Sequence, residues 1–199
     1  LLAPVTGGLI VSALLWLGHK RQWLPRQQSS AVADVMEARA AAKGNIPLAN
    51  GLLSATISAV TLGFGGSAGR EGPVVHLGAA IASFIARRLG LPGRAVRIML
   101  ACGAASAVAA SFNAPVAGAL FAFEIVLGHY ALRSIAPVAI ASVTGALISR
   151  LHLGASPAFA MPLLSPASLW DFPGVIGLGL AAAIVATLFI RTAVYAPRI

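Results

Sequence analysis

Three stretches without a single charged residue, 44–69, 98–123 and 172–190, run through the chain. Each is near or above the ~20 apolar residues an α-helix needs to cross a ~30 Å hydrocarbon core. Backbone polar groups in such a core must be bonded internally, so only helices or a closed barrel can run there. The alternation of period two that marks a membrane barrel is absent. The chain therefore reads as an all-α, multi-pass integral membrane protein. Its 58% hydrophobic and 10% charged residues agree, against roughly 25% charged in an ordinary soluble domain.

Periodicity and breakers divide the sequence into eight helical pieces, at 1–18, 31–42, 47–63, 73–88, 94–111, 115–128, 135–151 and 172–195. Residues 1–199 are read as one domain. The opening "LLAPVTGGLIVSALLWLG" has no initiator methionine and no charged leader, so the expectation is a piece of something longer.

The net charge of +9 comes from short basic clusters beside apolar runs: His19, Lys20, Arg21 and Arg26, then Arg87, Arg88, Arg94 and Arg97 around a Leu-Pro-Gly turn. This is membrane-flanking charge and lacks the basic, aromatic-studded face of a nucleic-acid binder. With both clusters basic, the sequence assigns no orientation. Trp16, Trp23 and Trp170 fall near segment ends, where indoles anchor at the interface. Cys102, the lone cysteine, reads as a packing residue. His76 shares no metal spacing with His19, His129 or His152, and is expected to pack or hydrogen-bond locally.

Helix breaks carry more information. The piece from Pro73 to Ala86 offers 14 residues before Arg87, about 21 Å at ~1.5 Å per residue, too short to cross alone. The run 98–123 is interrupted at "SFNAPVAG", where Asn113 and Pro115 suit the end of one helix and the start of another. Broken helices inside a bilayer occur where protein or a watery cavity satisfies the freed backbone, so they point to a pathway. Small residues in "GGSAG", "GAAIASF" and "CGAASAVAAS" allow close helix approach around them.

In "GSAGREGPVV", Pro73 suits the first helical position, while Gly66, Gly69 and Gly72 let the preceding backbone bend. The free N–H groups and positive dipole end of that helix favour an anion. Glu71 is placed to be that anion. Deprotonated, it competes with a mobile anion for the site; protonated, it leaves, which makes a proton-sensitive gate. The structural alternative is a helix cap or a pair with Arg70. Gly63, Gly65 and Ala68 loosely fit a dinucleotide pattern, but no βαβ context or acidic partner follows, and the Gly-Lys-Ser/Thr of a phosphate loop is missing.

These residues resemble the CLC family of chloride channels and chloride/proton antiporters. Gly69, Arg70, Glu71, Gly72 and Pro73 reproduce its "GREGP" signature, and "ACGAASAVAASFNAPVAGALFAFEI" at 101–125 is similar to its following helices. The resemblance runs from about residue 3 to the end and corresponds to roughly the first half of that family's transmembrane domain, with broken and re-entrant helices. It implies chloride as the transported ion, no cofactor, no enzymatic activity, and Glu71 as the gate, with amides around Gly69 to Pro73 binding the anion. It also implies a homodimer whose contact includes part of 115–151, and a bacterial plasma membrane suits the Arg- and Ala-rich usage. Aligned to the family's "GSGIP", Ser30 falls at the central anion site, with Ser29 and Ala31 in place of glycines and Ala33 in place of proline; a plain helix cap reads Ser30 equally well. Many family antiporters have a second glutamate directly after the position of Glu124. Here Ile125 stands there, as in family channels, which leaves a voltage-gated channel, a proton-coupled antiporter and a transport-inactive scaffold as readings. Glu124 is expected to be buried and hydrogen-bonded within its helix.

Overall fold

A computed structural model describes residues 3–23, 31–40, 44–154 and 171–195. Its helices are α1 (Ala3–Lys20), α2 (Ala31–Ala40), α3 (Leu48–Gly63), α4 (Glu71–Arg88), α5 (Gly93–Phe112), α6 (Pro115–Phe121), a π-helical segment (Ala122–Leu127), α7 (Leu132–Leu153) and α8 (Phe172–Tyr195). Among the described residues α5, α7 and α8 are each long and apolar enough to cross a membrane. The chain is an integral, multi-pass, all-α membrane protein.

The chain divides into two compact units, Leu1–Ala158 and Phe159–Ile199. The second is represented by α8, whose residues are all exposed. The first is organised around α5, whose Leu100, Ala101, Ala104 and Ala105 are fully buried. Glycine decides how closely its neighbours approach. A Cβ on Gly103 would stand 2.1 Å from the Gly78 carbonyl oxygen of α4, and one on Gly145 of α7 would stand 2.3 Å from Ser106 Oγ. Backbones this close exchange dispersion contacts that lipid cannot supply selectively.

Side-chain bonds show which helix ends meet. Ile46 N–H donates to Ser83 Oγ at 3.3 Å and Arg87 Nη2 donates to the Ile46 carbonyl at 3.3 Å, while Arg39 Nη1 donates to the Leu127 carbonyl. Gly7 packs on Phe64, which sets α1 antiparallel to α3. One end of the bundle therefore collects the last turns of α1, α2 and α4 and the first turns of α5 and α7. The two basic clusters that the sequence left without a common side lie together there. The same end carries Lys20 stacked 4.8 Å over Trp16 and Arg21 over Trp23 at 5.7 Å, an interfacial pairing of cation and indole. Arg26 and Trp170 lie outside the described residues.

The helix boundaries differ from expectation at two informative places. α4 begins at Glu71, so Pro73 is its third residue instead of its first. The first-turn N–H groups have no intrahelical acceptor in any case, so a proline ring costs nothing at the third position either. With 18 residues, α4 is about 27 Å long, not ~21 Å. In the run after Pro115, six residues adopt π geometry, a winding that hydrophobic periodicity does not encode. α6 and this segment together remain shorter than a span, and Ser142, midway along the 22-residue α7, donates to the Pro115 carbonyl. The second break thus lies level with the middle of a spanning helix.

Candidate anion site at the start of α4

α3 ends in a reversal that depends on two glycines. Gly65, at φ +85°, donates its N–H to the Leu62 carbonyl at 3.0 Å, and Gly66 N–H donates to the Thr61 carbonyl at 2.8 Å. This is the paired C-terminal closure of a helix by a left-handed residue. A Cβ on Gly66 would stand 2.6 Å from Thr61 Cγ2, so the turn closes only without one.

The chain then re-enters as α4. Val74 N–H donates to the Arg70 carbonyl at 3.2 Å; Pro73 has no N–H, and the amides of Glu71 and Gly72 precede any intrahelical acceptor. No side chain caps this end. The Glu71 carboxylate folds back toward the turn, its Oε2 lying 3.3 Å from where a Gly69 Cβ would be. Gly72 faces Ala31: a Cβ there would be 3.4 Å from the Ala31 Cβ. The start of α2 and the start of α4 therefore abut, which brings two positive dipole ends together.

Gly69, Arg70, Glu71, Gly72 and Pro73 are thus brought together. Ser30 lies outside the described residues, immediately before Ala31. Arg70 Nε is 3.7 Å from Glu71 Oε1, with side chains 58% and 46% exposed. The pair that the sequence left open is present, but at this exposure it is worth ~0–1 kcal/mol and does not pin the carboxylate.

Asn113 and Pro115 belong to different surroundings. Asn113 adopts the left-handed conformation, φ 55° and ψ 36°, Ala114 N–H donates to the Ala109 carbonyl at 3.2 Å, and Arg150 Nε of α7 donates to Asn113 Oδ1. Their polar groups are used internally, against α5 and α7.

One expectation needs correction. Glu124 is exposed, not buried, and its partner is Tyr130, whose hydroxyl donates to Glu124 Oε1 at 2.8 Å. The turn after the π segment brings this tyrosine back, with its ring 5.3 Å from that of Phe123, and the bonded carboxylate pushes the phenol pKa up. His76 is 1% exposed, yet neither ring nitrogen has a hydrogen-bond partner. Of the two expected alternatives, it packs and does not hydrogen-bond. Among the described residues no cluster of side chains could hold a metal ion.

A cavity that sequence reasoning missed lies at the basic end, lined by Arg39, Arg94, Arg97, His129 and Arg133. These positions are distant in sequence, and only the antiparallel helix order gathers them.

Comparison with known proteins places this geometry in context. The family model described as voltage gated chloride channel matches residues 7–199. A protein from Ralstonia nicotianae, whose name marks it as ClcB-like among chloride channel proteins, is 36% identical over 194 residues, 96% of this chain and 44% of its own length. The voltage-gated ClC-type chloride channel ClcB of Yersinia pseudotuberculosis is 34% identical over 192 residues, 96% of this chain and 45% of its own length. That of Escherichia coli is 37% identical over 151 residues, covering 76% and 35% respectively. The chain spans less than half the length of these relatives.

Proposed function

The chain belongs to the voltage-gated chloride channel family, and on that premise we propose that it contributes to a transmembrane chloride path in which Glu71 is a protonatable gate. The supporting observation is the meeting of two helix starts at Ala31 and Gly72, with the Glu71 carboxylate turned back over Gly69. Amides without intrahelical acceptors and two adjoining dipole ends attract an anion. A carboxylate and a chloride cannot both occupy such a nest. When Glu71 is charged it competes for the amides; when protonated it loses that attraction, and the ion replaces it.

Ile125 follows Glu124 and has no proton to carry, which favours the channel reading over proton-coupled exchange. The gathering of both basic clusters at one end supports a cytoplasmic placement of that end by the positive-inside rule. Large apolar side chains exposed on α6 and α7, among them Val116, Leu120, Leu132, Ile140 and Leu151, support a homodimer contact within 115–151.

The test is chloride efflux from vesicles containing the intact protein, recorded across pH for wild type and Glu71→Gln. Flux through the wild type is expected to vary with pH, and flux through the variant to be nearly pH-independent. Equal pH dependence in both would remove Glu71 from the gate. Proton movement driven by a chloride gradient would convert the reading to an antiporter, and absence of flux would favour a scaffold.

A further inference from the structure

The basic-end cavity, about 360 Å³ in volume, is lined by Arg39, Arg94, Arg97, His129 and Arg133. This lies within the ~300–1,000 Å³ of small-molecule clefts. None of the chain's five carboxylates lines it. Four guanidinium groups, charged at any physiological pH, face one space with no countercharge from the protein.

Local helix chemistry suits Arg39, in the last turn of α2, but not the other three. Arg94 and Arg97 sit at the start of α5 and Arg133 is the second residue of α7, yet helix starts favour acidic residues, because the dipole is already positive there. Guanidinium groups add to that field. Arg39, in the last turn of α2, lines the cavity, and its Nη1 donates to the Leu127 carbonyl. His129 Nδ1 accepts the Ala131 N–H at 3.3 Å, which leaves the proton of the neutral ring on Nε2.

We propose that this cavity is a binding site for a phosphate group, separate from the chloride site. The two lie at opposite ends of α4: Glu71 begins it, and the cavity borders the α5 start that follows its last turn. Chloride is a sphere that needs only a few amides. Several planar forks match the paired oxygens of a phosphate ester, and the converging helix starts reinforce the attraction. The phosphate comes either from an anionic lipid headgroup, for which Trp16 and Trp23 at the same end of the bundle mark an interfacial depth, or from a soluble phosphate.

The experiment uses the intact protein in nanodiscs of phosphatidylcholine and reads thermal stability. In one arm pyrophosphate is titrated; in the other, phosphatidylglycerol replaces part of the lipid. A saturable rise with either probe is expected, and the responding arm identifies the source. Arg97→Gln/Arg133→Gln should weaken it at least tenfold, whereas Arg88→Gln, an exposed charge at the same end but outside the cavity, should leave it unchanged. Should the double variant fail to fold, Arg133→Gln alone is expected to weaken binding severalfold. The proposal is overturned if neither probe gives a saturable response, if the cavity variants respond like wild type, or if Arg88→Gln weakens the response equally. Because chloride flux is not the readout, the result stands apart from the fate of the Glu71 gate.

Discussion

The two helix breaks in the first unit are built from similar residues and end in opposite conditions. Both close a helix with a left-handed residue, Gly65 in one and Asn113 in the other, and both restart near a proline. At the second break the Pro115 carbonyl accepts from Ser142 and Asn113 accepts from Arg150. At the first, amides at the start of α4 precede any intrahelical acceptor, and a half-exposed carboxylate turns back over the turn. Both helix starts have first-turn amides without an intrahelical acceptor, but the second break is tied to α7 through its carbonyl and its asparagine side chain, which makes it an architectural joint. At the first, a carboxylate lies over the start of an 18-residue helix, and this difference separates the candidate site from its scaffold.

The largest expected effect therefore belongs to the joint. A Cβ on Gly118 would stand 2.6 Å from the Ala105 carbonyl and 2.9 Å from the Ala109 Cβ, so Gly118→Val should cost about 3 kcal/mol by overpacking, read as a lowered unfolding midpoint in detergent. At the open break, only the Glu71 carboxylate lies within 4 Å of a Gly69 Cβ, and Gly69→Ala should change stability by less than ~0.5 kcal/mol. Equal losses would dissolve the distinction. Next comes Asn113→Ala, which puts alanine in the left-handed region at a cost of about 1–2 kcal/mol and deprives Arg150 of its acceptor. Asn113→Gly, measured in the same way, should recover the backbone part alone.

How much of this was legible in the sequence depended on range. Apolar runs and Gly/Pro punctuation are local, so all eight pieces reappear as helices, and both breaks fall where "GGSAGREGP" and "SFNAP" placed them. Pro73 misled by two residues because the whole first turn tolerates a ring without an N–H, not just its first position. The π winding at Ala122–Leu127 changes no residue's polarity, so no pattern announced it. Tyr130 reached Glu124 through the turn at Gly128, φ 66°, a local geometry that spacing alone did not give. The least legible feature was the arginine cavity. Arg39, Arg97 and Arg133 each look like ordinary membrane-flanking charge, and they become a site only because antiparallel packing brings the ends of α2, α5 and α7 together.

The smallest expected effect tests whether Arg70 is a ligand or a bystander at the open break. Its guanidinium is 3.7 Å from Glu71 Oε1, with more than half of the side chain exposed, so water and salt screen the charge. Arg70→Gln should shift the unfolding midpoint by less than the equivalent of ~1 kcal/mol. It should weaken chloride binding two- to threefold at low ionic strength, with the difference vanishing at about 1 M of a non-permeant salt, where the Debye length falls to ~3 Å. A loss above tenfold, or one that persists at high salt, would mean that the guanidinium bonds the ion directly. The amides of α4 would then share the site with a side chain, and the contrast between the two breaks would rest on two charged groups instead of on one carboxylate over free amides.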